Sequence, residues 1–433
     1  MNICIIGAGH VGLVTGACFA DLGNQVVCVD NDRKKIGLLK KGKAPFFEPG
    51  LEPMVVRNME KKRLFFTTDI KEGVGKSQII FIAVGTPPLP SGEADLTIIE
   101  NVARSVAQCM KEYRLIVEKS TVPVETGKWV KHTIAAFVRK KVPFDVASNP
   151  EFLREGTAVN DFLHPDRVVI GVESERARGL LEQLYKPFHA PLVVTDIASA
   201  ELIKHASNAF LSTKISFINA IANICEKVGA DVEKVALGMG LDPRIGRAFL
   251  NAGAGFGGFC FPKDLEAFIH IAEKVGYDFQ LLKAVREINE SQKRSIVKKV
   301  EQKLWNLKGK RIGILGLAFK PDTDDLRFAP SLDVIRNLTA TGARVCVFDP
   351  QAMKEAKVRL NSQVTFAQDP YHLAKGSDCL VVMTEWNEFK ELDLKRIKRL
   401  MRQPVLVDGR NLYDPEGARK LGFTYVGIGR GKG

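Results

Sequence analysis

Residues 2–12 read NICIIGAGHVG, an apolar run that leads directly into three spaced glycines. An apolar helical pattern follows, and the next apolar run, Gln25–Val29, ends at Asp30. Strand, G-x-G-x-x-G, helix, strand and terminal acid in this order are typical of a dinucleotide-binding βαβ unit. We therefore predict an α/β protein that begins with the strand Asn2–Ile6.

Four residues of the glycine loop are the first candidate cofactor ligands: Gly7, Gly9, Val11 and Gly12. The glycines permit a tight turn and a close approach of a pyrophosphate, which the helix N-terminus stabilises. The carboxylate of Asp30 suits the ribose hydroxyls of NAD and would repel the 2′-phosphate of NADP. Arg33 and Lys35 follow the strand and are basic, which could instead favour NADP. NAD is the predicted cofactor, and the alternative is a glycine turn in another kind of α/β protein.

Short apolar runs alternate with helical patterns in two parts of the chain, which predicts a parallel sheet covered by helices in each part. In the first part the predicted strands are Asn2–Ile6, Gln25–Val29, Ile79–Ala83, Leu115–Lys119, Asp145–Ser148 and Val168–Gly171. In the second part they are Arg311–Leu315, Arg344–Phe348, Cys379–Met383 and Pro404–Val407. The predicted fold is thus two doubly wound, Rossmann-like α/β domains joined by a central helical segment.

The central segment, from Ser199 to Lys308, shows no convincing strand pattern. Ala200–Val228 contains no proline and could form one helix of about 45 Å at 1.5 Å per residue. Much of this helix is apolar around its circumference, which predicts burial between domains or between the subunits of a homodimer. The predicted domains are residues 1–198 (dinucleotide-binding), 199–308 (central helical) and 309–433 (second α/β domain).

Composition narrows the function classes. The 433 residues are 45% hydrophobic and 26% charged, as in soluble globular proteins. We find no apolar run of membrane-spanning length and no signal sequence, so we expect a cytoplasmic protein without a membrane partner. The net charge of +13 is spread along the chain, which favours an anionic small-molecule substrate over nucleic acid. The eight cysteines show neither a disulfide framework nor metal-ligand spacing, so we expect reduced thiols and no metal.

Two threonines follow predicted strands, in Val84-Gly85-Thr86-Pro87 and in Ser120-Thr121-Val122-Pro123. Ligands of open α/β sheets bind outside the carboxyl ends of the strands, so both threonines could face the nicotinamide half of the cofactor. Each could also simply cap a helix or shape a proline turn.

Two further pairs have a spacing of four residues. Glu151 and Glu155 lie in Asn149–Gly156, which follows another predicted strand, and Lys204 and Asn208 share one face of the predicted long helix. On spacing alone, either pair could be plain surface. Together with a cysteine motif and a dinucleotide fold, they become candidate catalytic residues.

The cysteine motif is Gly255-Phe256-Gly257-Gly258-Phe259-Cys260-Phe261-Pro262-Lys263-Asp264. Pro262 suits the first position of a helix, because its missing N–H would be unpaired there. Cys260 would then lie just before a helix N-terminus, where partial positive charge and Lys263 favour a thiolate. Asp264 follows about one turn later. The motif indicates a nucleophilic cysteine with an acid/base partner.

Over nearly its whole length the chain resembles the UDP-glucose/GDP-mannose dehydrogenase family. The shared motifs occur in order: Gly7–Gly12, Val84–Pro87, Ser120–Pro123, Asn149–Gly156, Lys204 with Asn208, Arg244–Gly246, Gly255–Asp264, Gly316–Lys320 with Arg327, and Asp408–Arg410. One departure is Phe259, because the family usually carries a small residue before the cysteine. That departure leaves the fine specificity open.

The resemblance implies a four-electron oxidation of UDP-glucose at C6 to the carboxylate, with two NAD+. Cys260 would capture the intermediate aldehyde as a thiohemiacetal, a second hydride transfer would give a thioester, and water would release the uronic acid. Lys204 would stabilise negative charge on the C6 oxygen, with Asn208 donating beside it. Asp264 would be the general base, and Glu151 a second acid/base or water-positioning group.

The resemblance also implies the ligands of both substrates. For NAD they are the glycine loop with Asp30, Lys35, Thr86, Thr121, Glu155, Lys263 and Arg327, of which Thr121 would also serve catalysis. For the nucleotide sugar they are Glu151, Phe152, Leu153, Lys204, Asn208, Arg244, Phe249, Leu250, Asn251, Gly253, Gly257, Lys320 and Arg410. In this family Arg244 can come from a neighbouring subunit.

Other functions stay open at this point. GDP-mannose 6-dehydrogenases share Asn149–Glu155 and the cysteine motif, whereas Asp166-Arg167-Val168 favours UDP-glucose. UDP-N-acetylhexosamine dehydrogenases usually lack the Glu151–Glu155 pattern, and a two-electron hydroxyacid dehydrogenase would not need Cys260. In a different class, a non-catalytic dinucleotide-binding redox sensor would be expected to have lost at least one catalytic residue.

Some chemically suggestive side chains are predicted to be structural. His205 is turned about 100° away from Lys204 on the helix, and His10 occupies a variable position of the glycine loop. Four cysteines lie in apolar strand or helix patterns and are predicted core residues: Cys4, Cys18, Cys28 and Cys346.

Overall fold

The computed structural model describes residues 1–89, 92–139, 142–360 and 363–431. The strands are β1 (Asn2–Ile6), β2 (Gln25–Val29), β3 (Leu64–Thr67), β4 (Ile79–Ile82), β5 (Arg114–Glu118), β6 (Phe144–Ser148), β7 (Val168–Gly171), β8 (Leu192–Thr195), β9 (Arg311–Leu315), β10 (Arg344–Phe348), β11 (Thr365–Phe366), β12 (Cys379–Val382), β13 (Val405–Asp408) and β14 (Thr424–Val426). The helices are α1 (His10–Asp21), α2 (Arg33–Leu39), α3 (Leu51–Glu60), α4 (Ile70–Lys76), α5 (Thr97–Cys109), α6 (Thr126–Phe137), α7 (Ala158–Leu163), α8 (Glu175–Tyr185), α9 (Ile197–Val228), α10 (Val232–Gly240), α11 (Cys260–Lys274), α12 (Gln280–Leu304), α13 (Pro330–Ala340), α14 (Met353–Leu360), α15 (Pro370–Ala374), α16 (Asn387–Lys390), α17 (Leu394–Leu400) and α18 (Pro415–Lys420).

The first of two compact units comprises Met1–Ser207 and Glu266–Gly276. Its sheet has the order β3-β2-β1-β4-β5-β6-β7-β8 and is parallel except for the pairing of β6 with β7. The central strands β4 and β5 are buried along their whole length, as expected for strands covered by helices on both faces. The strand order reverses between β1 and β4, which opens a crevice at their carboxyl ends where ligands of such sheets bind.

The second unit comprises Asn208–Leu265 and Tyr277–Gly433. Its sheet has the order β11-β10-β9-β12-β13-β14 and is parallel throughout. One hydrophobic core joins this sheet to α9, α10, α12 and α13 through residues such as Ile218, Val300, Ile314 and Val334. The prediction of two doubly wound α/β domains with an intervening helical segment is confirmed.

The sequence missed four strands, all of them short: β3, β8, β11 and β14. The strands β3, β11 and β14 are the outer strands of their sheets, and β8 closes the remaining edge. Edge strands are short and partly exposed. β3 and β8 carry apolar runs, Leu64–Phe66 and Leu192–Val194, that the prediction overlooked, whereas β11 and β14 are too short to show a pattern. Ten predicted strands are observed, each within one residue at either end.

The long helix begins at Ile197, three residues before the predicted start, and ends at Val228 as predicted. Asp196 caps it, because its carboxylate accepts hydrogen bonds from the backbone N–H of Ser199 at 2.8 Å and from the Ser199 hydroxyl at 2.7 Å. Between α9 and β9, where every residue is described, the structure contains helices and loops and no strand, as predicted.

None of the eight cysteines forms a disulfide, and the four predicted core cysteines are buried. Burial raises the pKa of the Cys28 thiol to about 12 and raises the pKa of the Cys4 and Cys18 thiols further. These thiols therefore stay protonated and unreactive. Within the described ranges, no helix has the length and apolar character needed to span a membrane.

Candidate active site

The glycine loop after β1 is shaped to receive an anion. Gly7 has φ of 102°, and a Cβ there would lie 2.5 Å from the carbonyl oxygen of Ala83. A Cβ at Gly12 would overlap the carbonyl oxygen of Gly7, whereas a Cβ at Gly9 would meet nothing within 4 Å. Helix α1 has no side-chain cap and no acid in its first turn. Open space in front of an uncapped helix N-terminus fits a dinucleotide pyrophosphate.

Asp30 lies at the end of β2 and holds this loop. Its carboxylate accepts hydrogen bonds from the backbone of Ala8 and Asp32, both at 2.9 Å, and from Lys35 at 2.8 Å. Burial works to raise the pKa of Asp30, but these hydrogen bonds lower it overall, so the group is ionised near neutral pH. A carboxylate has about four lone-pair positions, so one remains for a ribose hydroxyl. Lys35 is paired with Asp30 here, which reduces the argument for NADP.

The second unit has a corresponding acid, Asp349, directly after β10. Five N–H groups donate to its carboxylate at 2.7–3.2 Å: the backbone N–H groups of Leu317, Ala318, Gln351 and Ala352 and the indole N–H of Trp386. This number exceeds the lone-pair positions that a carboxylate offers. Asp349 therefore braces the second unit and has no acceptor position left for a ligand.

The loops after β4 and β5 are joined through the two predicted threonines. The Thr86 hydroxyl is buried and donates to the carbonyl oxygen of Thr121 at 3.0 Å. This bond fixes the backbone of Thr121 at the carboxyl edge of the sheet, where the cofactor crevice is expected.

Glu151 and Lys204 form a buried ion pair in the first unit. The two charged groups are 2.9 Å apart, and their side chains are 5% and 4% exposed. The second carboxylate oxygen of Glu151 accepts a hydrogen bond from the backbone N–H of Leu153 at 2.6 Å. The ring of Phe152 lies 5.4 Å from the Lys204 ammonium and 3.7 Å from the Arg167 guanidinium. A charged lysine is thus held in a site largely closed to water, where its charge acts strongly on a neighbouring oxyanion.

Lys119, predicted only as the last residue of a strand, is a buried neighbour of this pair. Its ammonium donates to the side-chain oxygen of Asn149 at 3.0 Å, and that oxygen also accepts from the Tyr185 hydroxyl at 2.5 Å. Burial lowers the pKa of Lys119 to about 8, with the Glu151 charge opposing the shift and the Lys204 charge adding to it. Lys119, Asn149, Glu151 and Tyr185 line a polar cavity of about 230 Å³. The network fixes the Asn149–Glu151 turn.

The cysteine motif forms the start of α11 in the second unit. The helix begins at Cys260 itself, so the prediction that Cys260 lies just before the helix and Pro262 first within it was wrong by two residues. Pro262 is tolerated inside the first turn because the first four N–H groups of a helix have no partner within it. Cys260 and Asp264 consequently lie one turn apart on the same face.

Asp264 is buried between two donors. Its carboxylate accepts from the Asn208 amide at 2.6 Å and is 2.6 Å from the Lys263 ammonium. Both contacts stabilise the ionised carboxylate, the form that a general base needs. The structure thus brings Asn208, Lys263 and Asp264 together in one unit, and Glu151 with Lys204 in the other.

The glycines before Cys260 make room for neighbouring groups of their own unit. A Cβ at Gly257 would collide with the backbone of Phe328, and a Cβ at Gly258 would lie 2.7 Å from the ring of Phe319. The ring of Phe259 lies 4.4 Å from the Arg327 guanidinium and 5.5 Å from the Lys263 ammonium. The departure at Phe259 therefore gives two predicted NAD ligands a shared aromatic surface.

The other predicted sugar ligands lie on several loops of the second unit. Phe249 has φ of 65°, and Asn251 accepts from Arg247 at 2.7 Å. Arg410 donates to the carbonyl oxygens of Met383 at 2.8 Å, Gly255 at 3.1 Å and Phe319 at 3.3 Å, so much of its guanidinium braces the cysteine loop. The remaining members of the set are Leu250, which is buried, Gly253, whose N–H donates to Asn219, and Lys320, near the Phe319 ring.

Arg244 differs from these residues. Its side chain is 88% exposed and paired with Asp242, 2.6 Å away in the same turn. An exposed arginine of this kind is available to a neighbouring molecule.

Two histidines have structural contacts. The His205 Nε2 lies 2.7 Å from the carbonyl oxygen of Val122, inside the first unit. The His10 Nε2 lies 2.9 Å from the carboxylate of Glu48, which also accepts from the backbone of Gly156 at 2.7 Å and Ala158 at 2.8 Å. His10 and Glu48 thus connect the glycine loop to the segment after Glu155. The sequence gives no sign of this contact, because it shows only that Glu48 precedes the turn-forming pair Pro49-Gly50.

The glycine loop and Asp30, at the point where the strand order of a doubly wound sheet reverses, indicate an NAD-dependent dehydrogenase. Residues 1–189, 198–291 and 313–415 match the NAD-binding, central and UDP-binding domains of the UDP-glucose/GDP-mannose dehydrogenase family. The chain belongs to this family.

Relatives are similar over the whole chain. The UDP-glucose 6-dehydrogenase TuaD of Bacillus subtilis (strain 168) is 51% identical over 99% of this chain and 93% of its own length. A UDP-glucose 6-dehydrogenase of Rhizobium meliloti (strain 1021) is 47% identical over 99% of this chain and its full length. The structure of a UDP-glucose dehydrogenase from Pyrobaculum islandicum superposes with a TM-score of 0.93 and is 42% identical, covering 99% of this chain and 97% of that one.

Proposed function

We propose that this protein is an NAD-dependent UDP-glucose 6-dehydrogenase that oxidises the C6 alcohol of UDP-glucose to the carboxylate of UDP-glucuronate. The observation that carries the proposal is the start of α11, where Cys260 lies one turn before a carboxylate that Asn208 and Lys263 hold. A two-electron alcohol dehydrogenase has no need of a nucleophile there, whereas oxidation to an acid does. Full-length similarity to UDP-glucose 6-dehydrogenases supports the choice of sugar.

NAD supplies the hydride acceptor for both oxidations. In the first oxidation, a base takes the proton of the C6 hydroxyl while C6 loses its hydride, and Lys204 stabilises the charge on oxygen. The Cys260 thiolate then adds to the aldehyde and forms a C–S bond. Loss of the second hydride converts this thiohemiacetal to a thioester, and water cleaves the C–S bond to give the carboxylate and the free thiol.

The side chains divide between these tasks according to their contacts. Asp264 is proposed as the general base, since its two donors favour the ionised form. Glu151 is ion-paired with Lys204 and is proposed to orient that lysine and the hydrolytic water. The other cofactor ligands are proposed to be Thr86, Thr121, Glu155, Lys263 and Arg327 with the glycine loop, Asp30 and Lys35.

We expect two NADH per UDP-glucose consumed, because a hydride carries two electrons and an alcohol loses four on oxidation to an acid. The measurement is NADH absorbance against uronic acid by chromatography, with UDP-galactose, GDP-mannose and UDP-N-acetylglucosamine run in parallel. One NADH per sugar would exclude the thioester route. Faster turnover of GDP-mannose than of UDP-glucose would reassign the substrate.

We also propose three domains with boundaries near residues 198 and 308, a cytoplasmic location and a homodimer built on α9. The matched family segments support the division, since the gaps between them fall close to both boundaries.

The proposed dimer interface is a stripe on α9. Phe210, Phe217 and Ile224 lie seven residues apart on this helix and are 65%, 47% and 54% exposed. The exposed Arg244 supports a contribution from the neighbouring subunit.

Phe217→Glu is expected to convert the dimer to a monomer, because a carboxylate on this stripe would be buried without a partner. Sedimentation velocity measures the change. Val358→Glu is the matched control, since Val358 is 81% exposed on α14 and outside the stripe. Equal masses for wild type and Phe217→Glu would contradict the proposed interface.

A further inference from the structure

Glu201 lies on α9, one turn before Lys204 and His205, and its carboxylate binds backbone that follows β5. Its two oxygens accept hydrogen bonds from the N–H groups of Glu125 and Gly127, both at 2.7 Å. The residue is 2% exposed. The proposed mechanism gives Glu201 no role, although such short bonds to a carboxylate are strong.

Helix α6 needs this contact, because it cannot cap itself. Its N-cap residue, Glu125, has φ of 80° and makes no side-chain cap, and its own carboxylate pairs with Lys128 at 2.8 Å. The first N–H groups of a helix require acceptors from elsewhere. Glu201 supplies the acceptors for Glu125 and Gly127 from another helix, whereas the N–H groups of Thr126 and Lys128 donate to the carbonyl oxygens of Pro123 and Glu125. The negative charge of Glu201 also suits the positive end of α6.

Glycine at position 127 allows this approach. A Cβ there would lie 2.5 Å from a methyl carbon of Ile197 and 3.3 Å from the accepting oxygen of Glu201. The Glu201 carboxylate and the N-terminus of α6 are therefore closely packed, so this contact is a specific part of the buried structure.

The same face of α9 holds the preceding residues. His205 contacts the carbonyl oxygen of Val122 at 2.7 Å, and Thr86 donates to that of Thr121 at 3.0 Å. Glu201 and His205 thus fix the backbone on both sides of Pro123. Thr121 is the first residue before this fixed stretch.

We propose that Glu201 is a positioning residue for Thr121, holding the Thr121–Gly127 segment against α9 so that the threonine faces the nicotinamide. The inference rests on the proposed function, in which Thr121 contacts NAD. One helix then carries both the group that sets Thr121 and Lys204, which would act on the substrate oxygen.

Charge on Glu201 governs how well it caps. Burial raises the pKa of Glu201 to about 7, with the hydrogen bonds from Gly127 and Glu125 opposing that shift. The charges of Glu125 and Lys128 also act on Glu201, and Glu201 acts on Glu118, whose pKa burial raises to about 8. His205 lies one turn later on α9 and contacts the carbonyl oxygen of Val122. Below pH 7 the carboxyl gains a proton and becomes a poorer acceptor for two N–H groups. The segment is therefore held best above neutrality.

The contribution of Glu201 to the free energy of unfolding depends on pH in the opposite direction. The folded protein binds this proton more tightly than the unfolded chain, so the carboxyl contributes stability at low pH that is lost as pH rises through about 7. A positioning role and a purely structural role thus predict different pH profiles.

Glu201→Gln tests the proposal, because the amide NH₂ would face one of the two N–H donors. At pH 8 we expect the KM for NAD+ to rise about tenfold, because the variant loses one charge-assisted hydrogen bond. The KM for UDP-glucose should stay within about twofold. In wild type the KM for NAD+ should rise from pH 8 to pH 6, and in the variant it should be flat. Glu173→Gln is the control, because it makes the same chemical change at an exposed glutamate that pairs with Lys131 of α6.

Hydrogen exchange at the Glu125 and Gly127 amides and direct NAD+ titration make the result independent of the sugar. Faster exchange with weaker NAD+ binding supports the proposal even if wild type does not oxidise UDP-glucose, which would refute the proposed function alone. Faster exchange with unchanged NAD+ affinity and KM overturns the positioning role. A lower thermal midpoint with equal increases in both KM values would likewise overturn it, since that is general destabilisation.

Discussion

Cys260→Ser is expected to reduce uronic acid formation by a factor on the order of 10⁴ while NAD+ affinity stays unchanged. A hydroxyl at the start of α11 has a far higher pKa than a thiol and is a much weaker nucleophile toward the aldehyde. The first oxidation does not need the sulfur, so any product should stop at the aldehyde level. Mass spectrometry of the quenched mixture, with NADH absorbance, distinguishes aldehyde from acid.

Cys109→Ser is the matched control, because it makes the same chemical change outside the proposed site. Cys109 is the last residue of α5 in the first unit. The control should retain turnover within about twofold, since Cys109 is only partly buried at the margin of its core and lies outside the proposed site. Full turnover by Cys260→Ser would refute the nucleophile assignment. Loss of NAD+ binding by that variant would instead indicate a folding defect.

Lys204→Met is expected to lower kcat by about 10³-fold, because the ammonium is the buried charge proposed to stabilise the C6 oxyanion. The same change leaves the Glu151 carboxylate buried without its partner. Loss of one partner of a buried ion pair costs about 3 kcal/mol in the free energy of unfolding. Activity and stability should therefore both fall, and a single variant cannot separate them.

The double variant Lys204→Met/Glu151→Gln separates the two effects. With both charges removed, the free energy of unfolding measured in urea should return to within about 1 kcal/mol of wild type. Activity should stay low, since no charge remains to stabilise the oxyanion. Recovery of kcat along with stability would show that Lys204 serves the fold alone.

Much of the fold could be predicted because its buried strands carry continuous apolar runs. β4 and β5 are read directly from Ile79–Ile82 and Leu115–Val117, since both faces of each strand pack against helices. β11 could not be predicted, because two residues at a sheet edge have no periodicity to detect. The start of α9 at Ile197 could have been predicted from Asp196 and Ser199, which have the spacing of a helix cap. The prediction used the apolar periodicity alone and placed the start three residues too late.

The candidate site was predictable where chemistry and motif coincide, as at Cys260, Asp264 and Lys204. Their supporting residues were not, because a glutamate on a helix is normally a surface residue. One signal does exist in the sequence of α9. Buried polar residues recur along one side of the helix at steps of three or four positions, except that Lys204 and His205 are adjacent: Glu201, Lys204, His205, Asn208, Ser212, Ser216 and Asn219. A polar stripe on an otherwise apolar helix indicates side chains that other segments depend on.

The fully bonded carboxylate of Asp349 has a consequence for ligand stoichiometry. Both units place an acid after the second strand of a doubly wound sheet, yet only Asp30 retains an acceptor position. The two halves look alike in outline but are not interchangeable receptors. NADH binding measured by equilibrium dialysis should therefore saturate at one equivalent per chain. The second unit should not bind the coenzyme at any concentration.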